Sequence, residues 1–558
     1  MAEAGEARAA GLRADATAPA APPEPPERPG ALRSLRLALT SWRTASVVLL
    51  SFSSGMPLGL VWIAIPDWMR SAGADLRVVG LFTLAQAPWT FKVLWAPIMD
   101  RYSPPLLQRF GRRRGWALLT QIALALATFA LAGVGHRPEA PWVALALTFA
   151  IAVAAASQDI AVDAYAVDVL RPDEQGIAVG ARIALYRAGM FLAGGLAITL
   201  AAWISWPGVC VLLGLLFVPM MVVSITAPEP PDVPGRPVSL RQAVWQPFLG
   251  FLSRHRALEI LAFVLLYKLC DNFAQALLRP FLFDMGYDEF HRGFALNTVG
   301  TVGIVGGAMI GGALTNVIGL GNALWIFGLL QIFSNLGYVL LANIPTNNPV
   351  MYGAMGFENL TQGLGTGAFS VLLLRLTQKR FSAAQYALLS AFFGIPRVIS
   401  GPITGVTVDA IGWSWFFVLT MPLGVPGLVM LWRFVRPGQR EVTFEVRDAP
   451  DMAPPSRGEL TLTGVLAGGA TLAGGIALMA LLGALKAMRQ HPEEGFRYGA
   501  ALGAMLEPAT VGAWLQLAAL LACAMIAGVF GAAAVAARRG VGRELVDPTS
   551  EPAGGGSS

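Results

Sequence analysis

The sequence predicts an all-α, polytopic membrane protein: two six-helix, pseudo-symmetric halves followed by two further transmembrane helices. Three observations carry that prediction. The 558-residue chain is 55% hydrophobic and 13% charged, with a mean hydropathy of +0.59. A soluble domain carries about 25% charged residues, and a soluble chain this apolar would expose large sticky patches. Second, its apolar runs repeatedly reach the length of about 20 residues that a bilayer span needs. Third, the basic residues collect in alternate loops, as topology demands of cytoplasmic segments.

Residues 1–40 are rich in Ala, Pro, Glu and Arg and read as a disordered tail, without the apolar core of a signal peptide. Arg33, Arg36 and Arg43 then precede the first span. Spans are expected at 45–69, 77–99, 116–134, 142–165, 177–203 and 207–226, a first half bounded by 41–226. A polar, Pro-rich loop at 227–256 joins it to a second half at 257–436. That half has spans at 257–284, 293–317, 321–343, 349–376, 383–410 and 413–435. A linker at 437–457 leads to two extra helices within 458–538, near 460–486 and 508–537, and 539–558 reads as a disordered tail.

With the N-terminus in the cytoplasm, the inside loops hold Arg101, Arg109, Arg112 to Arg114, Arg171, Arg236, Arg241, Arg254, Arg256, Arg375, Lys379, Arg380, Arg433, Arg436, Arg440, Arg538, Arg539 and Arg543. The outside loops hold only Arg70, Arg77, Arg137, Arg292, Lys486, Arg489 and Arg497. Both termini are therefore expected inside, and the net charge of +6 is a topology signal rather than a nucleic-acid footprint. Two halves of six spans joined by a long inside loop is a layout of secondary transporters. Glycines at 303, 306, 307, 311 and 312, and at 363, 365 and 367, suit close helix packing. They do not form a phosphate loop, since no strand precedes them and no Lys follows.

Seven ionisable residues fall deep in the spans: Lys92, Asp159, Arg187, Lys268, Asp271, Glu358 and Arg397. A charge at such depth needs a partner or a wet cavity, which makes each a functional candidate. Asp159 and Asp163 lie four apart, on one helical face. Desolvation disfavours a charged carboxylate and a nearby cation restores it, so a buried acid can exchange a proton as its surroundings rearrange. Asp159, Asp271 and Glu358 are the candidates for proton coupling. The alternative is a static charge pair, and Lys268 and Asp271, three apart, fit it equally well. Lys92, Arg187, Lys268 and Arg397 leave the set slightly cationic, suited to an anionic solute. Gln86, Gln158, Gln275, Asn297, Asn359 and Gln362 supply neutral hydrogen bonds, and Trp62, Trp89, Trp95 and Tyr267 offer faces for stacking.

Enzymatic readings find little support. The four histidines, His136, His255, His291 and His491, sit in loops or at span ends, so no intramembrane metal cluster is expected. No GxxxxGK[ST] motif signals an ATP motor, and nothing accompanies Asp159 and Asp163 to make an aspartyl dyad. No cofactor is expected. Cys210, Cys270 and Cys523 all lie in apolar runs without disulfide or CxxC spacing.

The loop after the second span reads Asp100-Arg101-Tyr102, then Gly111-Arg112-Arg113-Arg114-Gly115. It resembles the loop signature of the major facilitator superfamily, where such a loop forms an inside latch between helices. The corresponding stretch of the second half, Leu314 to Asn322, has no charges. Longer strings are more specific: FSSGMPLGL, FKVLWAPIMDRY, ASQDIAVDA, LYKLCDNFA, GFENLTQGLGTGAF and FSAAQYALLSAFFGIPRVISGPITG. Spread over residues 45–435, they resemble the AmpG-type muropeptide permeases of that superfamily. The resemblance implies a proton-driven importer of anhydro-muropeptides in the inner membrane. It also implies a central cavity lined by the first, fourth, seventh and tenth helices, three of which carry the deep acids. The expected partners are an anionic glycopeptide, protons and the lipid bilayer, with the protein a monomer. The alternatives are another anionic cargo, such as an acetyl-CoA-like molecule or a peptide, and a membrane sensor of wall fragments that moves nothing.

Overall fold

The computed structural model describes residues 41–73, 82–134, 141–231, 237, 239–444, 453–490, 493, 495–509 and 511–546. The expected tail at 1–40 and the residues after Val546 lie outside that set. Among the described residues the secondary structure is helical, with no strand.

The first half contains α1 (Trp42–Ser71), the broken α2 (82–101), α3 (Arg112–Val134) and α4 (Pro141–Val169). It ends with α5 (172–204) and α6 (206–226), which meet at Ser205, where φ is +63°. The second half contains α7 (257–284), in three pieces, α8 (Glu289–Ile318) and α9 (Leu320–Asn343), and α10 (Asn348–Leu376). Its last pair, α11 (382–411) and α12 (413–434), meets at Gly412, where φ is +78°. The two halves thus break their fifth and sixth helices in the same way, at Ser205-Trp206 and Gly412-Trp413. α13 (Arg457–Gln490) and α14 (Val511–Arg538) follow.

Eight of these helices are long and apolar enough to cross a membrane, one of them the merged pair α5–α6, and a ninth is the bent run that includes α12. Residues 77–81 of the expected second span lie outside the described set; counting only the described residues, helices α2, α7, α10 and α11 fall short. They are the ones that carry Lys92, Lys268 and Asp271, Glu358, and Arg397. Proline explains the breaks in α2, where Pro88 and Pro97 each restart a helical piece at its first turn. In α7 the break falls on Lys268 itself, with φ −102° and ψ 11°. Outward, the bundle shows apolar side chains such as Leu126, Phe191, Leu215, Val302 and Phe333, as a surface that faces lipid must.

Two short helices lie outside the spans. One, Tyr498–Leu506, follows α13. The other, Leu240–Leu252, lies in the loop between the halves, and Ser239 caps it by accepting from Gln242 N. This linker helix buries Phe248, Leu249, Phe251 and Leu252 against the bundle. α14 packs on it through Phe248 and Phe530 and reaches α11 through Phe392 and Phe530. α13 pairs with α14 and is otherwise largely exposed.

Residues 539–546 do not form the loose tail expected from their composition. Leu545 and Val546 are buried, Ser253 donates to the Val541 carbonyl and Gln378 to the Leu545 carbonyl. Burial of these apolar side chains, with their backbone carbonyls satisfied, overrides the Gly- and Arg-rich pattern. Both ends of the described chain, Ser41 and Val546, therefore lie at the arginine-rich end of the bundle.

Candidate functional site

At that end the two halves are fastened together. Asp100, 1% exposed, closes α2 and reaches across to the first turn of α11. Its carboxylate accepts from Ala383 N at 3.1 Å and Ala384 N at 2.7 Å. Phe381, the residue that opens α11, offers no side-chain cap, so the orphan N–H groups of one half are capped by an acid of the other. Arg113 donates to Asp100 at 2.8 Å, to Asp168 of α4 at 2.7 Å and to the Ser382 hydroxyl. Arg112 donates to the Asp100 carbonyl at 2.7 Å. Arg101 stands to one side, over the Tyr102 ring.

Gly111 shapes this loop in a way a larger residue could not. Its φ is +83°, and a Cβ there would stand 2.4 Å from the Glu229 carboxyl carbon. Glu229 accepts from the Arg113 and Arg114 amides and from Arg114 Nε, capping α3. Farther along the seam Gly176 of α5 and Gly312 of α8 touch backbone to backbone; a Cβ on Gly312 would lie 2.1 Å from the Gly176 carbonyl oxygen. The uncharged loop of the second half contributes through Asn316, which donates to the Asp173 carbonyl at 2.9 Å. Its Gly321 amide donates to the Arg440 carbonyl at 3.0 Å. Backbone contacts replace the charges missing from that loop.

Deeper in the bundle lies a cavity of about 430 Å³ between the halves. The first half lines it with Ser51, Trp62, Trp89, Arg182, Tyr186 and Arg187, the second with Lys268, Asp271, Asn272, Gln362, Tyr386 and Arg397. Of the candidate residues, Arg187, Lys268, Asp271, Gln362 and Arg397 meet here. Among the described residues neither Arg187 nor Arg397 is bridged to a carboxylate, so two guanidiniums from opposite halves face one space. Trp62 and Trp89 meet edge to face, centroids 6.1 Å apart. The Trp62 indole N–H is buried at the wall without an acceptor.

Lys268 and Asp271 are both 2% exposed and pair at 2.8 Å. Lys268 also donates to the Gln331 side chain and, at 3.0 Å, to the Gln362 carbonyl. Glu358 lies behind this wall, bonded to the Ser334 hydroxyl and 1% exposed. On the opposite wall Trp89 donates to Asp159 at 3.0 Å. Lys92 is buried with its amine 3.6 Å from Asp163.

Asp163 and Arg182, neither of them among the proton-coupling or substrate-binding candidates expected from the sequence, form the tightest ion pair there, at 2.6 Å, and Arg182 also donates to Ser51 at 3.0 Å. Asp163 was legible as a face-mate of Asp159; Arg182 was hidden by its nearness to the end of its span. Four other candidates are placed away from the cavity. Gln158 is fully buried and donates to Ser53 at 2.6 Å. Asn359 lies between α10 and α8, donating to the Met355 carbonyl at 2.8 Å. Gln86 and Asn297 do not line the cavity either, and Asn297 is exposed. Packing between neighbouring helices claims the first two. Among the described residues no group of three or more His, Cys, Asp or Glu is arranged to hold a metal ion.

The profile of the Major Facilitator Superfamily matches residues 47–384. The chain is 42% identical over 391 residues to the anhydromuropeptide permease of Escherichia coli (strain K12), a match covering 70% of this chain and 79% of the relative. It is 29% identical over 398 residues to the putative transporter AmpG 4 of Rickettsia felis, covering 70% of this chain and 96% of the relative. In shape it matches a bacterial homologue of the iron transporter ferroportin in an outward-facing state. That match has a TM-score of 0.51 at 16% identity, covering 72% of this chain and 98% of the other, and speaks to fold alone.

Proposed function

The chain belongs to the major facilitator superfamily and, within it, to the anhydromuropeptide permeases, and on that premise we propose that it imports anhydro-muropeptides in symport with protons. The observation that carries this reading is the cavity between the halves, where Arg187 and Arg397 face one space without carboxylate partners. Guanidinium forks suit the carboxylates of a peptide stem. The Trp62–Trp89 pair and the free Trp62 N–H suit sugar rings and their acyl groups.

The halves 41–226 and 257–436 rock about this cavity, and the Asp100–α11 contact seals its arginine-rich side while the other side admits cargo. Asp159 and the Lys268–Asp271–Glu358 group exchange protons as the halves rearrange: a carboxylate that loses its cation partner or its water takes up a proton. The arginine-rich end faces the cytoplasm of an inner-membrane protein with both termini inside, and one chain forms the complete pathway.

Uptake of labelled anhydro-muropeptide into proteoliposomes, with and without an inward proton gradient, tests the reading. Accumulation should depend on the gradient and collapse with an uncoupler. Gradient-independent equilibration would remove the proton, and no uptake at all would remove the cargo.

A further inference from the structure

A second groove, about 650 Å³, opens on the outer flank at the arginine-rich end, between the linker helix, α13 and α14. It shares no lining residue with the central cavity. Its rim carries Arg241, in the first turn of the linker helix, and Arg457, the first residue of α13; its floor is built from Trp245, Leu460, Val465 and Val529. Among the described residues neither rim arginine is bridged to an acid, and the nearest carboxylate in sequence, Glu459, is held by Arg539.

The placement of the groove selects its occupant. α13 begins at Arg457, so the rim lies where a span leaves the bilayer and the floor faces the acyl layer, with Val465 66% exposed. Trp245 sits at the level where indoles gather at membrane interfaces. A small soluble anion would neutralise the rim and leave the apolar floor bare. An amphiphile with an anionic head and an apolar tail satisfies both. Basic pockets between helices at the membrane surface take such headgroups.

We propose that this groove binds an anionic phospholipid, its phosphate on Arg241 and Arg457 and an acyl chain along Leu460, Val465 and Val529. The lipid bears on the linker helix, whose Pro247 carbonyl accepts from Gln385 of α11 at 2.9 Å, beside the seal between the halves.

The test is native mass spectrometry of the full chain released from phosphatidylcholine nanodiscs doped with phosphatidylglycerol. Wild-type protein should retain phosphatidylglycerol over phosphatidylcholine by on the order of tenfold, the gain expected from two basic contacts at a membrane surface. The Arg241→Gln/Arg457→Gln double variant should lose that preference. Val465→Trp, at an exposed position where refolding cost is small, should lower retention of either lipid by filling the floor. Inorganic phosphate should not displace the lipid. Equal retention of the two lipids by wild type, an unchanged preference in the double variant, or displacement by phosphate alone would each overturn the assignment.

Discussion

Replacing Asp100 by Ala should open the arginine-rich side of the protein. The substitution removes the acceptor for Ala383 N and Ala384 N, the two hydrogen bonds by which one half caps a helix of the other. Hydrogen bonds to a charged group contribute about 1.5–3 kcal/mol each. At the low end the pair gives about 3 kcal/mol, more than a hundredfold in the ratio of closed to open forms. Arg113 keeps Asp168 at 2.7 Å and Arg112, which loses the Asp100 carboxylate at 3.5 Å, keeps the backbone carbonyl of residue 100 at 2.7 Å, so each buried cation retains an acceptor and the variant should still fold. Spin labels at Gln175 and Arg375, which approach within 3.4 Å across the seam, would report the change as a second, longer distance population. A single short distance identical to wild type would refute the argument that Asp100 fastens the halves.

Other substitutions probe the cavity. Arg187→Gln and Arg397→Gln should each raise KM for anhydro-muropeptide by about tenfold, the cost of one charge-assisted contact, with little change in expression; an unchanged KM would take that guanidinium off the cargo. Asp159→Asn should abolish uptake while the protein stays in the membrane, and normal uptake would remove Asp159 from proton transfer. Lys268→Met should destabilise by about 3–5 kcal/mol, because it leaves Asp271 buried without its cation. Asp271→Asn should cost less, since Lys268 keeps Gln331 and Gln362, and the double variant Lys268→Met/Asp271→Asn should recover part of the loss. Denaturation midpoints in detergent measure all three, and equal losses in the two single variants would contradict this account of the pair.

The fold class was legible because bilayer thickness imposes a length and a polarity that single-residue counting can find. The helices interrupted by Pro88, Pro97 and Lys268 follow the same count in sequence, although their breaks leave no described piece long enough to pass as a full apolar span. The cavity was legible only in part. Depth singled out Arg187, Lys268, Asp271 and Arg397, but depth does not say which face of a helix looks inward. Gln158 and Asn359 are as deep as Gln362 yet turn toward packed neighbours. Partners distant in sequence left no trace: nothing near Asp100 points to Ala383, 283 positions away. Arg182 was overlooked for a different reason, since a cation near the start of a span reads as a topology marker until Asp163 is seen beside it.

The docking of residues 541–546 bears on how the molecule is made. Gln378 donates to the Leu545 carbonyl, and its own backbone amide is taken by Gln385; the turn leading into α11 is thus pinned by residues 541–546, which follow α14. A chain truncated after α12 would keep the residues that line the cavity but lack the stitch that steadies that turn. Segments far apart in the chain thus complete one another, and shortening the chain before Val541 should loosen the entry to α11.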